Sequence, residues 1–252
     1  MFALLALIVA AAPTTDLERQ QFVATATKEQ LAEFVQHTPP EHLLAIGERA
    51  VKAYGIYTYT MAKQERINGT LLDTQVIRVT TRETPFAVRL EFVAGPARGR
   101  VVVYNRAVRA KEFRVREAGF LSIAGPLWLP NDSVFSKSDS NYSIDGAGMG
   151  NLLRKLQREV ALAGTLGGLV VTDEGWDSEG LYCQLYVMPR GGKGFDAPKS
   201  RICIDFKLGV PARVESFGSK GELIGRFVFT DIKASTLTAA ALDPVQLDPR
   251  PP

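Results

Sequence analysis

From residue 56 onward the chain alternates apolar and polar positions with period two. The cleanest run sets Phe86, Val88, Leu90 and Phe92 against Ala87, Arg89 and Glu91. Side chains on a strand point alternately to its two faces, so such a run forms a strand with one apolar and one polar side. Comparable runs span 56–64, 71–82, 86–93, 100–104, 112–116 and 120–124, and later 168–172, 181–188, 201–207, 212–217 and 222–230. Asn68-Gly69, Thr84-Pro85 and Gly95-Pro96 supply turns among the early strands.

Helical spacing appears in three places. Thr27 to Gln30 (TKEQ) and Thr38 to Glu41 (TPPE) both read as capping boxes, predicting helices over 28–36 and 39–53, the second with Pro39 at its first position. Leu43, Ile46, Ala50, Val51 and Tyr54 give that second helix one apolar side. Met149, Leu152, Leu153, Leu156 and Val160 mark a third amphipathic helix between Gly146 and Gly164. The polar stretch 126–143, entered through Trp128 and Pro130, reads as a long surface loop. The predicted fold class is α+β: a single curved antiparallel sheet, an incomplete β-barrel of about eleven strands, covered by about three helices. No composition break divides it, so 13–242 is expected to form one domain, followed by a mobile Pro-rich tail over 243–252.

Composition narrows the functional classes. With 252 residues, 46% hydrophobic and 23% charged, the chain is an ordinary globular one, and a net charge of +3 does not indicate a nucleic-acid binder. The charge is unevenly spread, however: residues 76–116 hold ten Lys/Arg against three acids. Arg78, Arg82, Arg89, Arg114 and Arg116 are read either as the wet face of a half-exposed sheet or as a docking face for an anionic membrane surface or an acidic protein partner. At the N-terminus, an apolar run from Phe2 to Val9 precedes Ala10, Ala11 and Ala12, which predicts a secretory signal over 1–12 and a periplasmic or otherwise exported protein. The run is too short to span a bilayer.

Cys183 and Cys203 lie in two runs joined by a Gly-rich turn, and folding that hairpin about its midpoint opposes the two sulfurs. In an oxidising compartment this predicts a disulfide, the alternative being two buried thiols. A zinc site is not expected from two cysteines without a nearby histidine.

The sequence holds no catalytic constellation. His37 and His42 flank the junction of the first two helices and have no acid placed to orient either ring. Asp173, Glu174, Asp177 and Glu179, like the acids of 132–145, lack the spacing of a calcium loop. Gly146, Gly148 and Gly150 follow a Ser-rich loop rather than a strand, so they do not read as a nucleotide fingerprint. No metal, cofactor or catalytic residue is therefore expected.

Lys63, Gln64, Glu65, Gly69, Gln75, Arg82, Pro85, Phe86, Val88, Phe92, Gly99, Arg100 and Tyr104 form a pattern that resembles the family known as domain of unknown function 1571 (DUF1571). Cys203, Asp205, Gly209, Pro211, Gly221-Glu222-Leu223 and Phe229-Thr230-Asp231 extend the resemblance toward the C-terminus. The family is similar to the LolA- and LolB-like lipoprotein carriers, and that likeness implies an incomplete antiparallel barrel holding an acyl chain under helices.

The leading functional expectation is an exported, non-enzymatic protein of the bacterial envelope that binds a lipid or lipoprotein acyl chain on the concave apolar face. Phe86, Val88, Leu90, Phe92, Ile202, Ile204, Phe206, Phe227 and Phe229 are expected to line the site, with Met149, Leu152 and Leu156 as its roof. The alternatives are an envelope scaffold with a filled core acting through its basic face and, more weakly, a hydrolase using carboxylates that the sequence does not pair.

Overall fold

Tyr57, Tyr59, Met61, Lys63 and Glu65 share one face of a twelve-residue strand, and the sheet grows outward from it on both sides. The computed structural model describes residues 16–247; the export signal expected at 1–12 and the end of the tail lie outside the described residues. In chain order the strands are β1 (Ile56–Ile67), β2 (Thr70–Leu71), β3 (Gln75–Arg82), β4 (Ala87–Ala94), β5 (Val101–Asn105), β6 (Glu112–Arg116), β7 (Leu127–Pro130), β8 (Val170–Trp176), β9 (Tyr182–Val187), β10 (Lys199–Asp205), β11 (Val210–Phe217) and β12 (Leu223–Ala234). Across the sheet they run β7-β6-β5-β4-β3-β1-β12-β11-β10-β9-β8, with β2 paired only to β1. Every pairing is antiparallel, and β7 and β8 remain as edges. The protein is thus a single open sheet of 12 strands and not a closed barrel.

The helices are α1 (Asp16–Thr25), α2 (Lys28–His37), α3 (Pro40–Ala53), the single turn α4 (Val134–Lys137) and α5 (Met149–Thr165). The first capping box forms as expected: the Gln30 amide donates to Thr27 Oγ1 at 3.3 Å, and the Thr27 amide donates to Gln30 Oε1 at 2.9 Å. The second does not. Thr38 Oγ1 donates instead to Phe34 O, back into α2, and α3 begins at Pro40 with no side-chain cap. Helices α3 and α5 pack on each other and lie across the concave face. Gly47 of α3 permits both contacts, because a Cβ there would sit 2.5 Å from Gly209 O in the β10–β11 turn and 3.2 Å from Leu153 of α5.

Helix α5 is fixed over the sheet by one buried polar group. Glu83 accepts from Tyr57 Oη at 2.6 Å and from Arg154 at 3.0 Å, and Arg154 also reaches Glu48 on α3 at 3.1 Å. The Glu83 carboxylate lies against Gly150, where a Cβ would come within 2.1 Å of it. The glycines near residue 150 therefore serve close packing, Gly148 against the Phe86 ring and Gly150 against this carboxylate.

Three expectations are corrected. Residues 120–124 are not a strand; Gly119–Ala124 is a 3-10 turn that leaves Phe120 85% and Ile123 77% exposed. The stretch 126–143 is not simply a surface loop, because it contains β7 and α4 and then crosses the mouth of the concave face, burying Ile144. Nor does the chain detach at Asp243: residues through 247 lie on the outer face of β4–β6, where Leu247 packs on Val101 and Val103 and the Leu242 carbonyl accepts from Asn105.

Candidate functional site: an apolar cavity under a strap

The inner-face side chains follow from register. Met61 opposes Phe229 on one side and Ile77 on the other; Ile77 opposes Phe92, and Val102 opposes both Leu90 and Val115. One continuous apolar row results. Over it, between α5 and the strap 139–148, is a cavity of about 180 Å³. Leu152 and Leu156 reach it from α5, and Phe113 and Leu129 close its β6–β7 end.

Of the residues expected at the site, Leu90, Phe92, Leu152, Leu156, Phe227 and Phe229 line this cavity. Phe86, Val88, Met149 and Ile202 are buried in the same core, behind the lining. Ile204 and Phe206 are elsewhere. Beyond the β-bulge between Cys203 and Ile204 the end of β10 passes under α2, and both side chains pack with Val35, Leu43, Tyr182 and Trp176. The Trp176 and Phe206 rings there are 5.5 Å apart.

The mouth of the cavity is polar, and sequence reasoning missed it. Lys63 pairs with Glu65 at 3.1 Å and donates to Asp139 O at 2.8 Å. Arg100 bridges Glu117 at 2.9 Å and Asp139 at 2.7 Å, and covers the Phe92 ring at 5.4 Å. Glu65 in turn accepts from Ser140 Oγ and the Asn141 amide, each at 3.0 Å. The strap is thereby tied to the ends of β1 and β5. On the α5 side, Lys155 pairs with Asp196 and lies 4.1 Å above the Tyr142 ring, whose centroid is 5.9 Å from that of Phe227. Burial, reinforced by the neighbouring Asp196 carboxylate, pushes the Tyr142 phenol well above its ordinary range. Burial, with the Asp196 carboxylate beside it, also raises Glu159, which accepts the Asp196 amide at 3.3 Å. One signal for this mouth was present in the sequence: Lys63 and Glu65 continue the apolar phase of Tyr57, Tyr59 and Met61, so period two alone assigns two charges to the buried face.

The arginine-rich face is narrower than expected. Arg78 is exposed; Arg82 donates to Pro85 O, and Arg89 pairs with Glu91 at 2.8 Å. Arg114 donates to the Pro244 and Val245 carbonyls and stacks near Trp128, and Arg116 is buried. Both lie on the outer face of β6, Arg114 held by the C-terminal segment and Arg116 buried, so they do not belong to an open docking surface.

Cys183 and Cys203 are directly opposed on β9 and β10 and form a disulfide. Asp177 completes a group of three possible metal ligands with them, but its carboxylate is held by Arg213, and both sulfurs are spent in the bond. His37 Nδ1 lies 2.8 Å from Glu33 O at the exposed end of α2, far in sequence and packing from the cavity lining.

Fold and site together define an open, helix-covered antiparallel sheet that encloses an apolar cavity behind a polar mouth. The chain belongs to the DUF1571 family: residues 54–249 match the family described as "Protein of unknown function (DUF1571)". None of the curated proteins compared with it matches. Among solved structures it is similar to an uncharacterized conserved protein from Thermus thermophilus (15% identity, 82% of this chain and 95% of that one, TM-score 0.47). It is also similar to the lipoprotein LppX of Mycobacterium tuberculosis (13% identity, 79% and 99%, TM-score 0.45) and to a LolA superfamily protein from Nitrosomonas europaea (10% identity, 82% and 98%, TM-score 0.35).

Proposed function

We propose that this protein is an exported, non-enzymatic binding protein or carrier of the cell envelope that shelters the acyl chain of a lipid or lipoprotein in the cavity beneath α5 and the strap. The observation that carries the reading is the cavity itself, an unfilled apolar space in a sheet face that is otherwise packed. A dry apolar cavity of about 150 Å³ is enough to take a benzene-sized guest. The space of about 180 Å³ accepts an acyl chain tail first, with the head group toward the polar mouth. Each methylene removed from water contributes about 0.8 kcal/mol, so a chain needs no charged anchor to bind. Ion pairs already occupy Glu117, Asp139 and Asp196, which leaves the hydrolase alternative without a free carboxylate pair among them. The disulfide is in keeping with an oxidising compartment, and no helix among the described residues is long and apolar enough to cross a membrane.

Native mass spectrometry of protein purified from its own envelope tests the reading, together with uptake of the uncharged fluorophore N-phenyl-1-naphthylamine. A co-purifying lipid and saturable probe uptake are expected. Protein that carries no lipid and takes up no probe overturns the assignment.

A further inference from the structure

The mouth of the cavity holds more hydrogen-bond acceptors and negative charge than its cations neutralise. Lys63, Arg100 and Lys155 are the cations there. Each already has a carboxylate: Lys63 has Glu65, Arg100 has both Glu117 and Asp139, and Lys155 has Asp196. Glu159 is a fourth carboxylate in the lining against three cations; burial, with the Asp196 carboxylate beside it, holds it above the usual carboxylate range against the pull of Lys155. One further acceptor stands behind Asp139, outside the cavity lining. Gln75 is buried at 4% exposure, its amide nitrogen faces Asp139 at 3.4 Å, and its Oε1 has no partner.

These groups sit together because of register. Lys63 is the cross-strand partner of both Gln75 and Phe227, and Arg100 carries the row on toward β6. The apolar side chains Leu90, Val102, Val115 and Leu156 lie deeper under the roof.

Resting on the acyl-chain reading above, we infer that the cavity selects amphiphiles whose head group is a hydrogen-bond-donating cation, an ammonium, over those ending in a carboxylate or phosphate. An anionic head would have to take Lys63, Arg100 or Lys155 from a carboxylate and leave that carboxylate partly buried and unpaired, which is costly. An ammonium brings three donors and no acceptor, and can pair with Glu159 or Asp139, both of which line the mouth, without taking a cation's partner away. Its charge is also attracted before contact by the surplus at the mouth.

The test is competition for N-phenyl-1-naphthylamine bound to the full chain at pH 7.5, using dodecylamine, dodecanol and dodecanoate below their micellar concentrations. All three share the twelve-carbon tail, so only the head differs. Dodecylamine should displace the probe at about a tenth of the dodecanoate concentration, with dodecanol between them. In Glu159→Gln, whose fold is checked by circular dichroism, the advantage of amine over alcohol should shrink several-fold; Glu117→Gln serves as a second variant should the first not fold. Dodecanoate displacing as well as dodecylamine, or an amine-to-alcohol ratio unchanged in the folded variants, overturns the inference while leaving the acyl-chain site standing. Failure of wild-type protein to take up the probe overturns the site and the inference together.

Discussion

Two coverings lie on the concave face of one sheet, and only one of them fills it. Over β9–β12, helices α3 and α5 supply Val51, Leu153, Val160 and Ala163, which close on Tyr186, Ile202 and Val210 with almost no exposed surface. Over the cavity, which runs from Phe229 of β12 through Met61, Ile77 and Leu90 to Leu129 of β7, the covering beside α5 is the strap 139–148, whose sequence DSNYSIDGAG offers only Tyr142, Ile144 and Ala147 as apolar side chains. A helix presents apolar side chains at i, i+3, i+4 and i+7 and can match the pitch of a sheet. A polar segment of bends and one 3-10 turn (Ile144–Gly146), with two glycines, has too few to do so. The apolar face beneath the strap is the same in kind as that beneath α3, so the cavity is a property of what covers the sheet and not of the sheet itself.

The comparison predicts opposite outcomes for one substitution at two sites on a single strand. Val88 and Leu90 are both inner-face residues of β4, but Val88 is fully buried against the packed core while Leu90 lines the cavity. Val88→Glu buries an unpaired charge and should cost at least about 4 kcal/mol, leaving protein that does not fold. Leu90→Glu can turn its carboxylate toward the cavity and its mouth. It should fold, lose less than about 2 kcal/mol, and fail to bind N-phenyl-1-naphthylamine. Thermal unfolding and probe titration on both variants decide the matter, and equal collapse of the two would mean that the cavity is core.

A smaller effect is expected from the disulfide, which ties the outer face of the helix-covered half. Cys203 opposes Cys183 on β9 and Arg213 on β11, the face opposite Ile202 and Val214. The bridge closes a loop with a sequence separation of 20, worth about 3 kcal/mol in chain-entropy terms. The double variant Cys183→Ser, Cys203→Ser should melt lower by that amount while keeping wild-type affinity for the probe, because the cavity lies on the other face. A matching loss of probe affinity would show that the two halves are more tightly coupled than their packing indicates.

How much of this was visible in the sequence depends on the range over which each feature is encoded. Helices α2, α3 and α5, the pairing of Cys183 with Cys203 and most strands are local patterns, and they were readable from Leu43, Ile46, Leu152 and Leu156 or from the alternation around Phe86. Residues 120–124 misled because a short apolar run alternates equally well in a 3-10 turn, where nothing covers Phe120. The position of Ile204 and Phe206 under α2 depends on a bulge that no single strand announces. The mouth was the hardest to see: Lys63, Arg100, Glu117 and Asp139 meet only once five strands and the strap are in register, and the polar composition of the strap disguises its role as a cover.

The weakest expected effect bears on how a ligand passes the strap. Asp139 is the residue through which the strap holds β5 and β3, its carboxylate accepting from Arg100 at 2.7 Å and from Gln75 at 3.4 Å, while its backbone carbonyl is held by Lys63. Asp139→Ala removes the side-chain bonds but keeps the Lys63 contact and leaves Arg100 paired with Glu117. The Arg100–Asp139 pair is partly exposed, with side chains 22% and 20% accessible, so its loss should cost only about 1 kcal/mol. If the strap is the barrier to the cavity, that small loss should fall on the closed strap alone, and stopped-flow uptake of N-phenyl-1-naphthylamine should become about fivefold faster, as about 1 kcal/mol off a barrier requires. Val88, fully buried in the packed core, and its neighbours should show unchanged hydrogen exchange. An unchanged uptake rate would mean that ligands reach the cavity by a route the strap does not control, and the contrast between the two coverings would then describe packing without describing access.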